Sequence, residues 1–362
     1  MILIIGPLPD PIDGCSFANK TLCKNLKHNN IKFEVINTNT NLISSKQGSS
    51  FSIKKALYFF KSYFSLYKIP RAKVVYFTPG QTFFGLLKYA PFIILCILLK
   101  KPYVIHVHGN HLGVHYQSLK GVKKQLFHFL ISKASAGIVL SKSLKDNFKD
   151  LLPLDDIFVV ENFAGNDIYK NTEELIKRTD IPRIIYLSNL MAEKGILDLL
   201  DALIILDKKG VNYKAIVAGA IESSIKMSVI SKLEKLGNKV NYVGVVQGQE
   251  KIEALIGSNI FILPTFYKME GQPISILEAL ATGNIIVTTN HAGIPDIITS
   301  KNGYLLDPQS PEMISKVITN INEKLKEEVR RFSEENMKYA KNNFKEDIFS
   351  SKIIEILNSV SK

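Results

Sequence analysis

The sequence predicts an α/β protein of two successive domains, each a parallel sheet wrapped by helices, and three observations predict it. The chain has 362 residues, enough for two domains of about 100–200 residues each. Short β-rich runs alternate with longer helical ones from end to end, as parallel strands joined by crossover helices require. The alternation starts afresh after Gly165–Ile181, a polar segment with a Glu/Lys-rich patch and no strand signal.

In the first half the strand-like runs are Ile2–Ile5, Phe33–Ile36, Val74–Phe77, Tyr103–Val107, Gly137–Leu140 and Ile157–Val160. Helical stretches fall at Phe17–His28, Phe83–Leu99 and Val122–Lys133, the second read as one crossover helix that is mainly core. In the second half the runs are Arg183–Leu187, Tyr213–Ala218, Val240–Val243, Ile260–Leu263, Ile285–Thr288 and Gly303–Leu306. Helices intervene at Ile196–Lys208, Ser223–Leu236, Gln249–Ile256 and Ser275–Ala281, and the chain is helical from Pro311 onward. Most strands are continuous apolar runs, as strands covered on both faces must be. Both halves are thus Rossmann-like. The expected organisation is a first domain over 1–165, a second over 166–342, and a C-terminal helix over 343–362 that packs back on the first. Ligands of such folds lie beyond the carboxyl ends of the strands, here in a cleft where the two sheets face each other.

Composition narrows the function classes. The chain is 46% hydrophobic and 22% charged, which fits sizeable cores and argues against disorder. Cys15, Cys23 and Cys96 are odd in number and form no C-x-x-C pair, so neither a disulfide framework nor a zinc ribbon is expected, and a reducing compartment is the default. Met1–Ile5 has no basic flank and runs into Gly6-Pro7, so it reads as a first strand rather than a signal peptide. The clean apolar run Phe92–Leu99 covers only about half a bilayer. Charge is unevenly placed. Residues 1–165 hold 21 Lys and Arg against 8 Asp and Glu, which accounts for the whole net charge of +13. No acidic residue lies between Glu34 and Asp146, an interval with 16 Lys or Arg. Such a face selects an anionic partner: nucleic acid, phospholipid head groups or a phosphorylated substrate.

Four segments have the residue types for chemistry. The first strand leads into Gly6–Ser16, a strand–loop–helix turn in which Gly14 lies at the helix start, and such a turn presents backbone N–H groups to a phosphate. Its three prolines equally suit a plain connecting loop. It is not G-x-G-x-x-G, which weighs against a nicotinamide dinucleotide. After the fourth strand comes His106-Val107-His108-Gly109-Asn110-His111. Alternation puts His106 and His108 on one face; either one contacts a ligand hydroxyl or phosphate, or both are packing, and the spacing fits no zinc pattern. In the second half Lys194 lies just ahead of an amphipathic helix, where a diphosphate would meet the positive dipole end; a solvated lysine is the plain alternative. The most informative run is Glu270–Gly283. Gly271 permits close backbone approach, and the helix near Ile274 and Ser275 aims free N–H groups at an anion. Glu270 and Glu278 flank that helix start. Two acids around an anion site suit a nucleotide sugar, with phosphate on the dipole and hydroxyls on the carboxylates.

The run from Glu270 through Glu278-Ala279-Leu280-Ala281-Thr282-Gly283 to His291–Ile298 and Gly303–Leu306 resembles the GT-B glycosyltransferases of family 4, the glycosyl transferases group 1 of bacterial polysaccharide synthesis. Glu193-Lys194-Gly195, His108-Gly109, Ser141 and Asn162 add to the likeness, which covers essentially the whole chain. The resemblance implies a GT-B fold and a retaining hexosyltransferase that needs neither metal nor cofactor, the nucleotide sugar being a co-substrate. It implies that Glu278 binds the donor's ribose, Glu270 contacts the transferred sugar, and Lys194 stabilises the diphosphate leaving group, assisted by N–H groups near Ile274 and Ser275. His108 would sit by the reacting sugar, with Gly271 and Gln272 in the donor loop and Gly14 lining the cleft. UDP is the family's usual nucleotide.

Departures from the family pattern matter too. Ser188-Asn189 stands where Gly-Arg is frequent, so one diphosphate cation is missing at Asn189 and Lys194 is more heavily used. Gly14-Cys15 replaces a common Gly-Gly, and Gln272-Pro273 replaces Phe-Gly, which changes the sugar pocket. The resemblance also implies an acceptor, a glycan or lipid-linked saccharide, on the first domain. There Ile53–Lys68 is basic, aromatic and helix-compatible, suited either to an anionic membrane surface or to core packing with a solvated lysine face. The expectation is a cytoplasmic protein, peripheral on the inner face of the membrane. Two other classes stay open: a sugar-nucleotide epimerase of the same architecture, and a nucleic-acid-binding protein, for which no recognised motif is present.

Overall fold

The computed structural model describes residues 1–10, 13–39, 59–172 and 174–361. All twelve expected strands form, within about one residue of the sequence reading at each end. They are β1 Ile2–Gly6, β2 Phe33–Asn37, β3 Val74–Phe77, β4 Tyr103–His106, β5 Ala136–Val139 and β6 Ile157–Val159, then β7 Arg183–Leu187, β8 Lys214–Ala218, β9 Val240–Gly244, β10 Ile260–Leu263, β11 Ile285–Thr289 and β12 Gly303–Leu306. Two six-stranded sheets result, in the orders β2-β1-β3-β4-β5-β6 and β12-β11-β10-β7-β8-β9, and every pairing is parallel.

The chain divides into two compact units. The first comprises Met1–Asn162, Met269–Gln272 and Glu346–Lys362; the second comprises Phe163–Lys268 and Pro273–Lys345. In the first, β1, β3, β4 and β5 are buried along their whole length. The C-terminal helix Glu346–Val360 lies on the Gly14–His28 helix, with Lys24 3.1 Å from Glu346 and Lys352 2.7 Å from Glu161. In the second, β10 and β11 are wholly buried and share one apolar core with the Ile196–Lys208, Ile274–Ala281 and Pro311–Glu323 helices. Removing an aliphatic side chain such as Leu203 or Ile286, both fully buried, costs about 2–5 kcal/mol.

Strand order reverses at β1/β3 in the first sheet and at β7/β10 in the second. At such a switch point the connections leave to opposite faces and open a crevice at the carboxyl ends. The loops after β7 and β10 therefore frame the second unit's crevice, and these loops carry Lys194 and the Glu270–Ser275 run.

Three readings change. Phe83–Leu99 is two helices, Phe83–Leu87 and Ala90–Leu98. Pro91, second in the later helix, lacks an N–H and crowds the preceding turn, so a helix starts there rather than passing through. Only one side of this pair is core, since Phe84, Ile94, Leu98 and Leu99 are exposed. The basic aromatic stretch is not one helix to Lys68 either. Residues 59–63 are helical and a 3₁₀ segment follows at Leu66–Arg71, with Pro70 inside; residues 53–58 of that expectation lie outside the described residues. Its aromatics split, with Phe59 buried and Phe60, Phe64 and Tyr67 exposed. Finally, Leu112–Ser118 forms a short helix directly after the histidine cluster. Among the described residues no helix is long and apolar enough to cross a membrane.

Candidate functional site

In the second unit the loops after β7 and β10 are stitched together. The backbone N–H of Phe266 and the hydroxyl of Thr265 both donate to Glu193 O, at 2.8 and 3.4 Å. Tyr186 Oη, from the end of β7, donates to Asn189 O at 3.1 Å and to Lys194 O at 3.4 Å. Gly195 turns the chain at φ +75°, and a Cβ there would stand 2.2 Å from Pro264 O, so a residue without a side chain is required where the two loops meet. Lys194 ends the short 3₁₀ turn Ala192–Lys194. Its ammonium lies 4.9 Å from the centre of the Tyr267 ring, and the Tyr267 carbonyl is 2.8 Å from His291 Nε2.

The Ile274–Ala281 helix starts from Pro273, which offers no side-chain cap. Its first amides, at Ile274 and Ser275, thus lack the acceptor that a Ser or Asp cap would bring, and they form the positive end of the helix dipole. One turn in, Glu278 is buried and paired with Lys251. The sequence reading missed Lys251. It is the fourth residue of the Gly248–Ile256 helix, which starts at the carboxyl edge of β9, while Glu278 is the fifth residue of the helix after β10. Equal depth from the same sheet edge brings them together, a signal that the strand and helix boundaries alone contain.

In the first unit Gly109 and Gly271 allow two backbones to touch. A Cβ on Gly271 would lie 2.6 Å from His108 O, and one on Gly109 would lie 2.5 Å from Met269 O. Glu270, Gly271 and Gln272 are consequently grouped with His108 in this unit, whereas the sequence reading placed the whole Glu270–Glu278 run in the second domain. Glu270 is buried. Asn162 bonds this loop twice, its N–H to Gln272 Oε1 at 2.6 Å and its Nδ2 to Gln272 O at 2.8 Å.

His106 and His108 share one face as alternation predicts, with rings 4.1 Å apart and stacked. Tyr76 Oη is 2.6 Å from His106 Nδ1. Burial lowers the pKa of His108 to about 4, and burial together with His108 holds His106 well below the usual imidazole range. Both rings are therefore neutral at neutral pH, ready to exchange hydrogen bonds with hydroxyls rather than to act as cations.

Gly14 is also at its helix start, but that N-terminus is already served. Asp13 accepts from Ser16 N at 2.7 Å and Ser16 Oγ accepts from Asp13 N at 2.9 Å, so a carboxylate of the chain itself meets the dipole that the sequence reading offered to a phosphate. The cysteines are free thiols, and burial pushes the Cys15 thiol up to about 12.

Buried polar atoms without a partner are rare in folded proteins, and here they cluster. Among the described residues five such atoms are His106 Nε2, both ring nitrogens of His108, Gln272 Nε2 and Asn162 Oδ1. All five belong to the contact of His108 with residues 269–272. Donors and acceptors left unserved together are what a polyhydroxylated ligand satisfies. No group of three or more His, Cys, Asp or Glu among the described residues is placed to hold a metal ion.

Comparison with known proteins bears on these features. Residues 167–340 match the family model described as glycosyl transferases group 1. TuaC of Bacillus subtilis strain 168, named as a teichuronic acid biosynthesis glycosyltransferase, is 27% identical over 227 residues, 60% of this chain and 54% of TuaC. The amylovoran biosynthesis glycosyltransferase AmsK of Erwinia amylovora is 27% identical over 148 residues, 39% of this chain and 36% of AmsK. The chain thus spans about half of the first relative and about a third of the second. Among solved structures, HepE of Anabaena in complex with UDP is 17% identical with a TM-score of 0.73, covering 99% of each chain. A glycosyltransferase from Rickettsia africae is 17% identical with a TM-score of 0.76, covering 100% of this chain and 99% of the other. At these identities the structural likeness shows a shared fold.

Proposed function

Because residues 167–340 make the chain a member of the glycosyl transferases group 1 family, we propose that it is a retaining, metal-independent transferase. It moves a hexosyl unit from a nucleotide sugar, UDP-linked, to a glycan or lipid-linked saccharide in cell-surface polysaccharide synthesis. One observation supports this reading above all: the loops flanking the β7/β10 switch point supply a lysine, an uncapped helix N-terminus and a buried carboxylate. Those are the complements of a diphosphate and a ribose. Lys194 and the Ile274 and Ser275 amides meet the negative charge that builds on the diphosphate as the glycosidic bond breaks. Glu278, oriented by Lys251, accepts from the ribose hydroxyls. Neutral His108, with Glu270 and Gly271, contacts the transferred sugar, and Asn189 and Gly14 border the donor. No resident metal or cofactor has a part in this reading.

The ribose assignment has a direct test. Glu278→Gln weakens UDP binding in calorimetry by about 10–100-fold, the worth of one or two hydrogen bonds to a charged group, and leaves 2′,3′-dideoxy-UDP binding as in the unaltered protein. Equal weakening of both ligands contradicts the role.

The acceptor reading places the protein on the inner face of the cytoplasmic membrane. Exposed Phe60, Phe64 and Tyr67 beside Lys61 and Arg71 support it, since aromatics enter the head-group region and cations meet anionic lipid. Co-sedimentation with phosphatidylglycerol vesicles, weakened by high salt and by Phe64→Ser, is expected; no binding at low salt removes the membrane from the account.

A further inference from the structure

We propose that Gln272 reads one hydroxyl of the transferred sugar through its side-chain amide, and that Asn162 is the positioning residue that makes this reading possible. The proposal deepens the transferase reading and rests on it.

The argument starts from which end of each carboxamide is used. A backbone N–H can only donate, so the 2.6 Å contact from Asn162 N fixes Oε1 as the end of the Gln272 side chain that faces residue 162. A backbone carbonyl can only accept, so the 2.8 Å contact to Gln272 O fixes Nδ2 as the end of Asn162 that faces residue 272. The two residues, 110 apart in sequence, hold each other by main chain and side chain at once. Neither amide can flip without losing a hydrogen bond.

This clamp leaves Gln272 Nε2 with no partner, although Gln272 is only 3% exposed. A buried, unserved donor destabilises the folded chain, and Met or Leu would fill the same volume without that penalty. Its place is informative. Gln272 follows Gly271, whose α-carbon lies against the His108 carbonyl, and His108 has two further unserved nitrogens. A ligand oxygen at this spot serves several of these groups together. The donor is neutral, so the matching group is a neutral acceptor such as a sugar hydroxyl, rather than a phosphate, for which a cation would be used. A pocket built to bond a hydroxyl rejects the analogue lacking it more strongly than an apolar pocket does, because the protein group is then stranded. The pair therefore sets specificity, while the nucleotide is held elsewhere.

The test measures binding of UDP, of the UDP-sugar held most tightly, and of its monodeoxy analogues in calorimetry. The unaltered protein is expected to lose about 10–100-fold in affinity for one particular deoxy analogue. Gln272→Met and Gln272→Glu both lack the amide donor, and Glu keeps an acceptor for Asn162 N. Each should bind the parent sugar nucleotide correspondingly less well, bind UDP unchanged, and no longer distinguish that analogue from its parent. Asn162→Ala should blunt the same discrimination, again with UDP unaffected; a merely structural role would weaken UDP as well. Discrimination preserved in both Gln272 variants overturns the proposal. If the unaltered protein binds UDP-sugars no better than buffer components, the transferase reading has failed, and this inference with it.

Discussion

Replacing Lys194 with alanine is expected to lower the turnover number by about 10²–10³-fold, the usual loss when one preorganised group is taken from a developing negative charge. Melting temperature and circular dichroism should stay those of the parent, because the Lys194 carbonyl, not its ammonium, holds the loop through Tyr186. Asn189 sharpens the expectation. An uncharged side chain stands there, two residues past the end of β7, so no second cation on this loop shares the load. Lys194→Arg keeps the charge on a longer planar head and should recover part of the rate. A loss of less than about fivefold in Lys194→Ala, measured as nucleotide release, takes Lys194 out of the mechanism.

The second large effect is on stability. Lys177, in the polar segment between the two halves, is 6% exposed. Its ammonium donates to Leu255 O at 2.8 Å, Ile256 O at 3.1 Å, Ser258 O at 2.5 Å and Asn284 Oδ1 at 3.4 Å. These carbonyls close the end of the Gly248–Ile256 helix, whose opening turn carries Lys251 and its bond to Glu278. Lys177→Met leaves the carbonyls unserved and should cost about 3 kcal/mol, which for a unit of this size lowers the melting temperature by roughly 6–12 °C. The cost depends on pH. Burial brings the Lys177 pKa down from 10.5 to about 7, so between pH 7 and 10.5 the unfolded chain binds the proton that the folded chain has released. Stability of the unaltered protein relative to Lys177→Met therefore rises with pH across that window. Urea denaturation of both proteins at pH 7 and pH 9 reads the difference; a loss below 1 kcal/mol at both values contradicts it.

Legibility in the sequence followed the range of the interactions. Strands were readable because runs such as Ile260–Leu263 and Ile285–Thr289 are β-branched and buried throughout, so composition and period report one local environment. The break in Phe83–Leu99 was written in Pro91, whose effect on the preceding turn outweighs an otherwise unbroken apolar pattern. Lys194, Glu278 and the Ile274 helix start could be found because strand, loop and helix follow in order. Lys251 and Asn162 could not be found that way, since each meets its partner, 27 and 110 residues away, only through the fold. Lys177 illustrates the opposite error: in a Glu/Lys-rich stretch it looks like a solvated charge, and only the carbonyls of another helix end show that it is buried.

The central claim is that this chain cleaves a nucleotide sugar and passes on the sugar with its anomeric configuration unchanged. Proton NMR of the tightest-binding UDP-sugar, incubated with the protein in EDTA and a saccharide acceptor, tests it most directly. The account predicts release of UDP and a first-formed product with the donor's anomeric configuration, lost in Lys194→Ala. An inverted product contradicts retention, dependence on a divalent ion contradicts the metal-free chemistry, and conversion of the UDP-sugar to its epimer without release of UDP contradicts transfer itself.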